Sequence, residues 1–160
     1  MTTATISEIK QELSTLSAVE LLALCVRLTK YKKENKELLN YLLFLSNDEQ
    51  AFIEMVKHSI TNEFDSVNKS NLYFAKKMIR KILRIANKHI KHAASKEVEV
   101  QVLMHFCTTM EQSGIPFKKN TALANLYQSQ IKKIEKVISA MHEDLQYDYL
   151  KALDKMKSTV

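Results

Sequence analysis

Apolar residues recur every three or four positions along nearly the whole chain, the period of helices that each bury one face. Ser17-Ala18-Val19-Glu20 reads as a capping box, in which the Ser hydroxyl and the Glu carboxylate each satisfy a free backbone donor. It opens a helix through about Lys30. Leu21, Leu22, Leu24, Cys25, Val26 and Leu28 leave that helix almost no polar face, which predicts a central position. Ahead of it, Ser7 can cap a short helix through about Leu13. Asn35 opens the next, ending near Leu45, with Leu38, Leu39, Leu42, Leu43 and Phe44 as core. Asn47-Asp48-Glu49-Gln50 reads as a second capping box, and Phe52, Met55, Val56, Ile60 and Phe64 keep helical spacing behind it.

A polar connector from Asp65 to Ser70 precedes a helix from about Asn71 to Ala93. The alternation of Val98-Glu99-Val100-Gln101-Val102 imitates a strand. Helix is still the reading: Ser95 can cap it, Gly114 can end it in the left-handed region, and Pro116 follows. A lone strand would also lack partners for its backbone groups. From Asn120, the positions Leu123, Tyr127, Ile131, Ile134, Ile138, Met141, Leu145, Tyr149 and Leu153 stay in phase. They predict one long helix to about Met156, with a break near His142 as the alternative.

Composition strengthens this picture. A chain of 160 residues with one Gly and one Pro cannot supply the many tight turns of a β-rich fold. The prediction is an all-α fold of about six to eight helices, an irregular bundle or a short αα superhelix, in a single domain over 1–160. Cys25 and Cys107 lie among apolar neighbours and read as small core residues of a reducing compartment. The longest near-apolar run, Leu38 to Leu45, is far shorter than a membrane span, and Met1-Thr2-Thr3-Ala4-Thr5 lacks the blocks of a signal peptide. A cytoplasmic protein with no membrane partner is the expectation.

Charge singles out one segment. The formal net charge is +6, yet residues 66–96 hold nine Lys/Arg and no Asp or Glu, which leaves −3 for everything else. On a helical wheel Lys76, Lys77, Arg80, Lys81, Arg84, Lys88 and Lys91 share an arc of roughly 140° with Tyr73 and extend over roughly 22 Å of helix axis. The opposite arc holds Leu72, Ala75, Met78, Ile79, Ile82, Leu83, Ala86, Ile90 and Ala93, a continuous core face. These eight residues, Tyr73 and the seven cations, form the candidate partner-binding site. An acidic protein surface is the first reading. Non-specific nucleic-acid binding is the alternative, with Tyr73 placed to stack on a base. Internal neutralisation by Glu49, Glu54, Glu63, Glu143, Asp144, Asp148 or Asp154 is the competing account. Sequence-specific DNA reading is disfavoured, as the segment has neither a glycine turn nor interleaved Asn/Gln.

Catalytic chemistry has little to rest on. His89 and His92 have a spacing that could share a metal, but Lys88 and Lys91 flank them, so packing or capping is the preferred role and no metal is expected. His142-Glu143-Asp144-Leu145-Gln146-Tyr147-Asp148-Tyr149 is the densest titratable cluster, and a hydrolase centred on His142 is the remote reading. One Gly cannot build a phosphate cradle, and neither Cys has a local base, so no cofactor and no catalytic residue is assigned.

Four segments carry a family likeness. They are Leu16-Ser17-Ala18-Val19-Glu20-Leu21-Leu22, Glu34-Asn35-Lys36-Glu37-Leu38-Leu39-Asn40-Tyr41-Leu42, Ala75-Lys76-Lys77-Met78-Ile79-Arg80-Lys81, and the cluster from His142 to Tyr149. Through them the chain resembles a family of small, all-helical bacterial proteins known as a domain of unknown function. The resemblance implies an all-helical cytoplasmic fold and transfers no functional residue.

Overall fold

A computed structural model describes residues 2–158, and among these the regular structure is entirely helical. The α-helices are α1 (Ile6–Thr15), α2 (Ala18–Tyr31), α3 (Lys33–Asn40), α4 (Glu49–Asp65), α5 (Leu72–Ala93), α6 (Lys96–Gln112), α7 (Thr121–Ile138) and α8 (Glu143–Ser158). A π-helical turn, Tyr41–Leu45, follows α3, and a short 3₁₀ turn, Phe117–Lys119, precedes α7. The all-α class and the number of helices agree with the sequence reading. The chain divides into two compact units, Met1–Phe44 and Leu45–Val160.

In the first unit, α1 is capped by Thr5, two residues ahead of the expected Ser7. The Thr5 backbone N–H donates to Glu8 Oε2 at 2.7 Å, and the Glu8 N–H donates to Thr5 Oγ1 at 3.3 Å. Ser17 and Glu20 open α2 through the anticipated reciprocal bonds. A single extended residue, Lys32, joins α2 to α3, which starts two residues before Asn35; the Asn35 side chain instead donates to the Leu28 carbonyl at 2.8 Å. The two helices make an αα hairpin. Its packing corrects the sequence reading: α1, α2 and α3 contain no buried residue, and Leu38, Leu42, Leu43 and Phe44 lie exposed. Within the unit only Tyr41 is buried among the described residues. Cys25, expected in a core, is exposed. Two helices in contact share one seam, and a helix that is apolar nearly all round has more surface than one seam can cover.

The second unit closes a proper core. Here α6 is the central helix, packed against α4, α5, α7 and α8. Val98, Val100, Val102, Leu103, Phe106, Cys107 and Met110 are all buried, spread round its circumference. That burial explains the strand-like alternation, because a helix surrounded on several sides needs apolar residues at more than one phase. Asp48 caps α4, accepting from the Ala51 N–H at 2.9 Å, one residue later than the expected Asn47. Asn71 caps α5 and Ser95 caps α6, the latter as anticipated, while Gly114 takes φ 74° beyond the end of α6. Ala94 takes φ 51°, so α5 ends and α6 begins across a corner of two residues, Ala94 and Ser95.

The long C-terminal helix is broken rather than continuous. At the end of α7 the Ala140 and Met141 N–H groups tighten onto the Val137 and Ile138 carbonyls, 3.0 and 2.9 Å away. Side chains then take up the carbonyls that the break releases. Gln146 Nε2 donates to the Met141 carbonyl at 2.8 Å, and Lys96 Nζ donates to that of Ala140. The chain folds back as α8, which packs on α7 and α6 and places Leu153 fully inside.

Candidate interaction surface

The basic helix owes its orientation to an unambiguous core face. Ala75, Ile79, Ile82, Ala86 and Ile90 are buried against the contacts α5 makes with α4 and α6. Asn71 Oδ1 fixes the first turn, accepting from the Tyr73 and Phe74 N–H groups at 3.0 and 3.2 Å. With the apolar arc turned inward, the cationic arc has to face outward.

Every residue of the sequence-derived site lies along that outward side. Lys77, Arg80, Lys81, Arg84 and Lys91 are exposed, Lys76 and Lys88 are half-buried, and Tyr73 is 69% exposed. Tyr73, Lys76, Lys77, Arg80, Lys81 and Arg84, together with Met78, line one shallow groove of about 380 Å³. Met78 is a correction. Its position on the wheel assigned it to the core, whereas it is half-buried and lines the groove. Lys91 lies apart from that groove, in a second hollow with Lys96, Lys133 and Glu99.

Ion pairing decides between an open and a neutralised row. Lys81 Nζ lies 3.3 Å from Glu63 Oε2, across from α4. Of the carboxylates named as internal partners, Glu54 instead holds Lys57 at 2.9 Å. Glu99 is occupied by Lys133, also at 2.9 Å. Among the described residues Lys76, Lys77, Arg80, Arg84 and Lys91 make no ion pair. The row is therefore mostly uncompensated, and each like-charged neighbour at i, i+4 opposes helix formation by a few tenths of a kcal/mol.

Sequence reading missed one participant. Phe74 is 54% exposed and meets Tyr73 edge to face, ring centroids 5.6 Å apart, at the N-terminal end of the row. Its signal was available: on the wheel Phe74 falls in neither the core arc nor the cationic arc, and an aromatic outside both is a candidate contact residue.

Several other titratable groups have defined surroundings. His142 Nδ1 lies 3.3 Å from Asp144 Oδ2, but the side chains are 76% and 89% exposed. The pair stands open to water. Burial and the nearby Glu111 push the Cys107 thiol up to about 12, which keeps it protonated and inert. Burial, then the hydrogen bond to Glu111, raises the Tyr127 hydroxyl above its ordinary value; that hydroxyl donates to Glu111 Oε1 at 2.6 Å. His89 packs edge-on against Phe52, centroids 5.9 Å apart. Among the described residues no three His, Cys, Asp or Glu side chains gather in a group able to hold a metal ion. Among the same residues no helix is long and apolar enough to cross a membrane.

Comparison of the chain with protein-family models, with curated proteins and with solved structures finds no match.

Proposed function

We propose that the chain is a non-catalytic helical interaction module whose α5 face binds an acidic protein surface. The observation that carries this reading is the uncompensated row: along the groove one cation, Lys81, has a carboxylate partner, while Lys76, Lys77, Arg80 and Arg84 are left to solvent. A protein partner is favoured over nucleic acid by the groove itself. Its lining includes Met78, Tyr73 and two arginines, and Phe74 packs against Tyr73, the mixture of aromatic, Met and Arg that concentrates at protein interfaces. The free thiols of Cys25 and Cys107 suit a reducing, cytoplasmic setting.

Titration of the full chain against a Glu-rich helical peptide, and separately against mixed-sequence RNA and DNA, tests the proposal at several salt concentrations. The peptide is expected to bind at low salt, and Arg80→Ala/Arg84→Ala to weaken it at least about tenfold with helicity retained. Nucleic acid is expected to bind weakly. Tight binding there, with log K falling by about 0.7–0.9 per phosphate contact against log salt and a slope flattened in the double variant, would transfer the face to the nucleic-acid reading. No binding of either ligand at low salt would remove both.

A further inference from the structure

The chain carries an acidic surface of its own. α8 opens with Glu143 and Asp144, Asp148 follows one turn later, and no Lys or Arg stands between His142 and Leu150. With Leu153 fully buried, the helical wheel turns Glu143, Asp144, Tyr147 and Asp148 outward, within an arc of roughly 140°. All four are exposed, Tyr147 by 71%. Asp144 meets only the His142 imidazole, and among the described residues Glu143 and Asp148 make no ion pair. The helix dipole accounts for acidic residues in the first turn, Glu143 and Asp144, but Asp148 lies beyond its reach.

The second unit thus exposes an unpaired anionic ridge as well as an uncompensated cationic row, and the fold holds the two apart. α5 packs beside α4 and reaches α7, where Lys133 Nζ donates to Asn87 Oδ1 at 3.1 Å. α8 packs beside α7, and its Tyr149 hydroxyl donates to Glu97 Oε1 of α6 at 3.2 Å. Burial raises that hydroxyl above its ordinary value, and Glu97 and Glu49, at the start of α4, add to the effect. The order round α6 is therefore α4, α5, α7, α8. It sets α5 and α8 on opposite sides, so the ridge of one chain cannot fold onto its own row.

We propose that the acidic partner of the α5 face is a second copy of this chain, which docks the ridge of Glu143, Asp144 and Asp148 against Lys77, Arg80 and Arg84. The inference rests on the reading of α5 as a face for an acidic protein. Both surfaces repeat their charge once per helical turn, about 6 Å along the axis: Asp144 and Asp148 on one, Arg80 and Arg84 on the other. Tyr147 gives the ridge an aromatic ring to set against Met78 and Tyr73 of the groove. Because the contact joins different surfaces of two copies, each copy keeps one row and one ridge to offer. Growth is then head to tail, into rings or open filaments. A few surface pairs between molecules of net charge +6 make the contact weak and strongly dependent on salt.

Sedimentation equilibrium of the full chain tests this. At low salt the average mass should climb above 18.5 kDa with concentration, and it should return there in ~0.5 M salt. Arg80→Glu/Arg84→Glu and Asp144→Lys/Asp148→Lys, all at exposed positions, should each weaken self-association at least about tenfold with circular dichroism unchanged. An equimolar mixture of the two variants should associate again, since the first keeps the original ridge and the second the original row. The Glu-rich helical peptide should disperse assemblies of the unaltered chain. A chain that binds that peptide yet stays at 18.5 kDa would overturn the inference and leave the α5 reading standing; one that does neither would remove both. Association that either variant retains alone, or a mixture that fails to regain it, would also overturn the inference and assign self-association to another surface.

Discussion

Two apolar helices of this chain, one in each unit, end in opposite states. In the second unit α6 buries seven residues on contacts with four neighbours, and a polar face is almost superfluous. In the first unit α2 is more apolar still and none of its residues is buried. The difference lies in the number of neighbouring elements rather than in the residues. A helix is covered only when enough others surround it, and a hairpin offers one neighbour where a bundle offers three or four. Apolar content states how much surface a helix needs to hide, and the topology decides whether its own unit can hide it.

The sharpest break in that comparison comes from truncating each helix at its most telling position. Phe106→Ala, at a fully buried site in α6, is expected to destabilise the second unit by about 3–5 kcal/mol in urea unfolding. Leu22→Ala, 66% exposed in α2, should change that transition by less than about 0.5 kcal/mol. Next in size is Tyr127→Phe. It removes the hydroxyl that donates to Glu111 and leaves the carboxylate without that donor, for a loss of about 2 kcal/mol in the same measurement. The smallest effect concerns His105, whose imidazole is held below its ordinary value, first by burial and then by Lys57, with Glu54 acting the other way. Its Nε2 sits 2.9 Å from Thr61 Oγ1. The unfolded chain takes up that proton more readily than the folded one, so stability falls as pH drops below about 6.5, the ordinary imidazole value, towards the lower folded value. His105→Gln should remove this contribution, changing the melting-temperature shift between pH 7.5 and pH 5.5 by only about 1–2 °C.

Local signals in the sequence were read accurately where the physics is local. The Ser17–Glu20 capping box, the Ser95 cap and the Asn71-to-Ala93 extent of α5 depend on hydrogen bonds within one turn. Where two capping residues competed a few positions apart, as at Thr5 and Ser7 or Asn47 and Asp48, choosing between them needed the entry path of the chain, which no short window contains. The break after α7 was equally hidden. It carries no Gly or Pro, and depends on carbonyl partners supplied by Gln146 and by Lys96, which is 44 residues away from Ala140 in sequence. The basic face was legible because charge and periodicity coincide on one helix. Whether it was neutralised was not, since Glu63 reaches Lys81 from α4 while Glu54 pairs with Lys57 instead. Placing α2 at the centre failed for the reason already given: hydropathy records a demand for cover, with no account of the supply.

The corner at Ala94 and Ser95 has a consequence for recognition. A left-handed residue followed at once by an N-cap leaves no slack, so the strut bearing the cations is clamped at its far end to the most deeply buried helix of the unit. Charges mounted on a stiff rod keep a constant pitch, and a visiting molecule cannot draw them together to suit its own spacing. Under the proposed function, an acidic partner is selected by the match of intervals, and one whose carboxylates repeat once per helical turn is favoured over one whose carboxylates are widely scattered.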